Sequence, residues 1–198
     1  PWIVIWDDHE FANDPYVGGA ENHDNATDGD WGERRQIAIK VYDEWLPTRT
    51  GDPSVLYRDF YFGTLAHIVV VDIKRPLISP VEGETLTMLG KAQDDWANEC
   101  IGDSQAKWVI LAQQQTFSPG LAVWDSLPSS RNRIRDTVKA SGIENVIVLT
   151  GDLHQARAAD IPDESWGPYD VETGEGSWGV EATCTSITSP GDESDFSG

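Results

Sequence analysis

Residues 1–13 read P-W-I-V-I-W-D-D-H-E-F-A-N. The apolar run Ile3-Val4-Ile5 ends in two carboxylates, an imidazole and a third carboxylate, with an amide three residues later. A strand carrying Asp7, Asp8, His9, Glu10 and Asn13 at its C-terminal edge would place hard oxygen donors and a nitrogen donor where open α/β sheets bind ligands. A second run ends the same way, in Val146-Ile147-Val148-Leu149-Thr150-Gly151-Asp152-Leu153-His154. Alone, either motif has a plainer reading, because a carboxylate after a strand commonly caps the next helix. Together they are more specific: the chain has 4 histidines, and two of them stand at these equivalent strand ends. The pair predicts one dinuclear metal site built from distant parts of the chain.

The 198 residues are enough for one domain with a real core. Lys+Arg 14 against Asp+Glu 34 gives a net charge of −20. Such a field disfavours nucleic acid and anionic membranes as stable partners, and admits a phosphate ester only where cations reverse the local potential. The 9 tryptophans and spaced apolar runs argue against disorder. Cys100 and Cys184 fit no disulfide framework and read as small buried apolar residues. No run approaches the roughly 20 apolar residues of a membrane span. The chain begins mid-strand without an initiator Met, as a piece of a longer protein would.

Strands alternate with helices, which implies an α/β layered fold. Residues 14–30 are rich in Gly, Asn and Asp and read as a loop, with His23 solvated. Asp24, Asp28 and Gly29 hint at a calcium loop, but Ala26 and Arg35 stand where ligands are required. Residues 31–46 predict a helix with Ile37, Val41, Tyr42 and Trp45 on its apolar side, Asp30 as N-cap and Pro47 as its stop. Arg34 and Arg35 fall in its first turn, where cations oppose the helix dipole; either an anion lies near them or they face solvent. A strand pair is expected over 56–62 and 65–72, with His67 structural. Further helices are expected over 89–100 and 131–141, and strands over 108–112, 145–150 and 180–184. The Ser/Gly/Asp-rich tail, 186–198, reads as poorly ordered.

With these residues in hand, the chain resembles the PhoD-like alkaline phosphatases, a branch of the calcineurin-like metallophosphatases. The resemblance rests on W-D-D-H-E-F-A-N (6–13), R-R-Q-I-A-I-K-V-Y-D-E-W-L-P-T-R (34–49), L-Y-R-D-F-Y-F-G-T-L-A (56–66), W-V-I-L-A-Q-Q-Q (108–115), S-R-N-R-I-R-D (130–136), V-I-V-L-T-G-D-L-H (146–154) and T-S-I-T-S (185–189). It implies a two-sheet sandwich flanked by helices and lacking its N-terminal part, with 1–190 a partial domain and 191–198 a tail or the start of a further segment. It also implies hydrolysis of phosphate mono- and diesters with calcium and iron(III), zinc or manganese being used elsewhere in the superfamily. Asp8, Asn13, Asp152 and His154 would be metal ligands, with Asp8 and His9 in or beside the coordination sphere. Arg34, or failing it Arg35, would bind the substrate phosphate. His9 would protonate the leaving group or orient a ligand. Location outside the cytoplasm, as a secreted, periplasmic or cell-surface protein, follows from the same resemblance.

Two departures stand out. The family's D-[ST]-R is here Asp72-Ile73-Lys74, followed by Arg75. Its earlier motifs, including G-D-x-x-Y with a bridging aspartate, are absent from these residues. The chain by itself is therefore expected to be inactive, to need the remaining segments of its own chain or an assembly, and to expose an apolar face. The alternative is a non-catalytic structural or assembly subunit that keeps the fold; the retained Asp7, Asp8, His9, Asn13, Arg34, Asp152 and His154 weigh against it.

Overall fold

The structure is a computed structural model that describes residues 2–74, 87–120, 123–164 and 167–184. The expected tail, Arg75 and the 185–189 segment lie outside the described residues. A one-turn helix α1 (Asn25–Asp28) and helix α2 (Trp31–Trp45) precede a hairpin of β1 (Arg58–Phe62) and β2 (Ala66–Val70). Then come α3 (Lys91–Gly102), β3 (Trp108–Ala112), a 3-10 turn (Val123–Ser126), α4 (Pro128–Ala140), β4 (Val146–Thr150), β5 (Arg157–Pro162) and β6 (Ser177–Thr183).

The described strands form one six-stranded sheet in the order β1-β2-β3-β4-β6-β5, and helices flank it, giving the expected mixed α/β class. Strands β2, β3, β4 and β6 are parallel; β1 and β5 run antiparallel at the two edges. Helix α3 links β2 to β3 and α4 links β3 to β4, so the ends of β2, β3 and β4 share the edge where parallel sheets place ligands. The expected strand at 3–5 is not one: residues 2–6 pair with no strand. Strand propensity in Ile-Val-Ile is realised only where the segment pairs with another strand, and here it does not. Strand β5 went unforeseen because R-A-A-D-I-P has no clean alternation; it forms by pairing with β6.

Alternation along the parallel strands divides the sheet into two faces. Val69, Val109, Leu111, Val146 and Val148 pack with Ala97 and Ile101 of α3 and Ile134 and Val138 of α4. The opposite face carries an in-register row, Phe60–Ile68–Ile110–Ile147–Val180. It is more open, with Val180 and Leu149 both 41% exposed. A second cluster, Trp6, Phe11, Ala12, Ala20, Trp31, Tyr42 and Leu56, holds the opening segment against α2. Asp30 caps α2 by accepting from Glu33 N–H at 3.0 Å, and Leu46 leaves the helix extended ahead of Pro47, as expected. The buried side of α2 is rotated from the expected one. Trp31 and Tyr42 are buried with Ala38, Ile39 and Leu46 packed against them, while Ile37, Val41 and Trp45 are exposed.

Cys100 is partly buried against the core, but Cys184 is exposed, correcting the expectation that both are buried; both thiols are free. His67 is structural as expected, fully buried between Asp59 and Ser104. His23 is not simply solvated: it packs on Trp31 and pairs with Asn25 and Arg34. Two leucines on neighbouring strands test the division of faces. Leu111→Ala should cost about 2–5 kcal/mol in urea unfolding, and Leu149→Ala under about 1 kcal/mol.

Candidate metal centre

The opening segment delivers its acids from a turn rather than from a strand. Asp8 C=O accepts from Phe11 N–H at 2.9 Å and from Ala12 N–H at 2.8 Å, while Asp7 Oδ1 accepts Asp8 N–H at 2.9 Å. Glu10 folds back to receive Asp7 N–H at 2.6 Å. This local wrapping turns Asp8 inward, leaving it 6% exposed, where Oδ2 accepts Asp14 N–H at 3.3 Å and His9 Nε2 stands 3.7 Å away. His9 itself is largely exposed.

The second contribution comes from the end of β4. Gly151 N–H bonds Gln114 C=O at 2.9 Å, closely joining the ends of β3 and β4. The chain then holds Asp152 at φ 68° and His154 at φ 55°, both left-handed and neither glycine. Such conformations cost free energy and concentrate at functional sites, because the surrounding structure must enforce them. They point Asp152 at the opening turn: carboxylate oxygens of Asp7, Asp8 and Asp152 all lie within 4.8 Å of one another.

Lys74 completes this arrangement. Its side chain is 2% exposed, and its ammonium lies 2.9 Å from Asp7 Oδ1 and 3.8 Å from Asp152 Oδ1. The residue is set in place by Asp72, at the end of β2, whose Oδ1 accepts both Lys74 N–H at 3.0 Å and Gln114 Nε2–H at 2.8 Å. Asp72 Oδ2 accepts the Trp6 indole N–H at 2.9 Å, so the same carboxylate anchors the opening segment.

Among the described residues the acidic group is thus Asp7, Asp8 and Asp152; His154 does not join it, although it follows Asp152 by two residues. Asn13 lies on the same turn with its Nδ2 directed at Glu21 and Asp14. Arg34 returns from α2 to this turn: its Nε donates to Phe11 C=O at 3.0 Å and its NH1 pairs with His23 Nδ1 at 3.2 Å. Arg35 is half-buried one position on. The opening motif offered Asp7 as an oxygen donor, although the ligand set implied by the resemblance omits it, and the sequence reading did not bring Lys74 to the site. A lysine inside V-V-V-D-I-K, with no polar residue except Asp72 before it, was the available signal.

The donor set suits a hard cation. Three carboxylates in mutual contact, one of them buried, prefer calcium-like or trivalent ions over soft ones. Burial pushes the Asp7 carboxyl up to about 6, against the lowering pull of Lys74. A folded-state pKa raised above its unfolded value means that the folded chain binds the proton more tightly. The associated stability is therefore full below about pH 4 and is lost as pH rises through about 6. In chelator, unfolding free energy should fall between those limits by on the order of 2 kcal/mol, with Asp7→Asn flattening the slope in pH-resolved urea titrations.

The sequence profile of the PhoD-like phosphatase family matches residues 1–197. Alkaline phosphatase D of Bacillus subtilis (strain 168) is 32% identical over 98% of this chain, and the match spans 37% of that protein. A solved structure of PhoD superposes with a TM-score of 0.76 at 30% identity, covering 96% of this chain and 40% of that one. The chain therefore spans well under half the length of the relatives it matches. It belongs to the PhoD-like phosphatase family.

Proposed function

We propose that the protein containing this chain is a metal-dependent phosphatase that hydrolyses small phosphate mono- and diesters. The observation that carries this reading is the convergence of Asp7, Asp8 and Asp152 from opposite ends of the chain, with Asp152 held left-handed, in a chain of this family. Asp7, Asp8 and Asp152 would hold the metal, with Asn13 and His154 as further donors. Calcium with iron(III) is the pairing we favour, and zinc or manganese the alternatives. Bound cations would shield the ester's negative oxygens and lower the pKa of a bound water.

The chain's own residues supply the rest. The planar guanidinium of Arg34 suits the non-bridging phosphate oxygens, and its bond to Phe11 C=O fixes it beside the acidic turn. Arg35 would take this role only if Arg34 did not. His9, exposed beside Asp8, would protonate the leaving oxygen or orient a ligand. The chain's net charge of −20 disfavours extended nucleic-acid contact and favours a compact substrate. No described helix is long and apolar enough to cross a membrane. We place the protein outside the cytoplasm, as a secreted, periplasmic or cell-surface enzyme, and expect this chain to act together with the remaining segments of its protein or an assembly.

Assays of the protein containing this chain with a chromogenic phosphodiester and a phosphomonoester test the reading. Exhaustive chelation should abolish turnover, and calcium with iron(III) should restore it; full activity after chelation overturns the proposal. Asp152→Asn should lower bound metal, read by elemental analysis, and reduce kcat/KM by about 100-fold or more. Arg34→Ala should instead raise KM, or weaken inhibition by phosphate, with metal content intact. If Arg35→Ala alone has that effect, the phosphate contact lies one residue on.

A further inference from the structure

Lys74 is the feature of this site that metal ligation does not explain. Lysine is among the residue types least often fully buried, because an ammonium loses much hydration on leaving water. The other lysines for which ion pairs are described behave ordinarily: the side chains of Lys40, Lys91 and Lys139 are 74%, 62% and 50% exposed. That of Lys74 is 2% exposed, and its ammonium lies inside the acidic group, nearest Asp7 and next nearest Asp152. Those two acids come from segments 145 positions apart in sequence (152 − 7). Without a cation between them, they would repel across a short distance.

We propose that Lys74 is a built-in counter-cation of the carboxylate cluster, which holds Asp7 and Asp152 together before metal binds and which an arriving metal ion must then share those carboxylates with. This rests on the reading of Asp7, Asp8 and Asp152 as a cation site. Two consequences follow from charge alone. The cluster is assembled in the metal-free chain, so binding requires little reorganisation. Its affinity is also held down, because the fixed ammonium repels the incoming ion and competes for Asp7 Oδ1 and Asp152 Oδ1. A lysine rather than an arginine suits the role: a compact ammonium on a flexible stem can withdraw from Asp152, at 3.8 Å, while keeping Asp7, at 2.9 Å.

The test is metal binding by the protein containing this chain, stripped with chelator and titrated with Mn²⁺ and separately with Ca²⁺ by calorimetry. Lys74→Gln keeps a hydrogen-bond donor but removes the charge; Lys74→Arg keeps the charge. The proposal expects Lys74→Gln to bind Mn²⁺ at least tenfold more tightly than wild type, and Lys74→Arg to stay within threefold of it. It also expects the stripped Lys74→Gln chain to melt lower than wild type and to gain more in Tm on adding Mn²⁺. If Lys74→Gln folds only when Mn²⁺ is present, the proposal is supported; if Mn²⁺ does not rescue its folding, it is overturned. Wild type binding metal while Lys74→Gln binds no more tightly overturns the counter-cation role and leaves the cation site standing. Binding of neither ion by wild type or either variant overturns both.

Discussion

The Asp72 carboxylate is the constraint on which the site depends. It stands at the end of β2, 1% exposed, and collects donors from three directions: the Trp6 indole, the Gln114 carboxamide and the Lys74 backbone amide. A buried carboxylate must be satisfied, and leaving even one donor unmet costs more than the bond itself contributes. Satisfying it therefore fixes three things at once: where the opening segment crosses the sheet, how the end of β3 meets the end of β2, and which way residue 74 points. The Gln93 side chain extends the network, accepting Asp72 N–H and donating to Asp72 C=O, so α3 is tied to the same junction.

A second buried acid does the corresponding work on the other side of the sheet's ligand edge. Glu181 of β6 is fully buried and accepts from Phe117 N–H at 2.7 Å, Ser118 N–H at 2.9 Å and the Thr150 hydroxyl at 3.1 Å. It thereby pins the segment that leaves β3 to the last residue of β4. Asp152 follows by two residues, and its left-handed backbone comes directly after this anchor and the Gly151–Gln114 bond. The strained pair Asp152 and His154 thus follows directly on a segment fixed by satisfied hydrogen bonds.

The chain's acidity and its buried lysine are two aspects of one electrostatic problem. A protein with net charge −20 gathers three carboxylates at one edge, each repelling the others and any phosphate ester. Positive charge must come from somewhere, and the fold brings it from two places: Lys74 from beneath and Arg34 from α2 across the acidic turn. Neither cation is close in sequence to Asp152. The local balance of charge at the site is thus a product of folding, with two cations offsetting part of the charge of three carboxylates.

Sequence by itself determined the sheet's central strands, because the apolar runs at 66–70, 108–112 and 146–150 require at least one covered face. It also determined where α2 begins and ends, since Asp30 and Pro47 act through neighbouring backbone alone. Tertiary structure decided what depends on distant partners. Ile3-Val4-Ile5 is not a strand because it pairs with none, and Arg157–Pro162 is one because it pairs with β6. The buried side of α2 was set by Trp6 and Phe11, which lie outside the helix and whose position no periodicity within it encodes. The acidic trio was legible as residues, since Asp7, Asp8 and Asp152 all stand at the ends of apolar runs, whereas Lys74 acquires its meaning only from contact. Residue type and local spacing carry propensity and capping, but a charge's role depends on what lies within a few ångströms of it, and only the folded chain sets that distance.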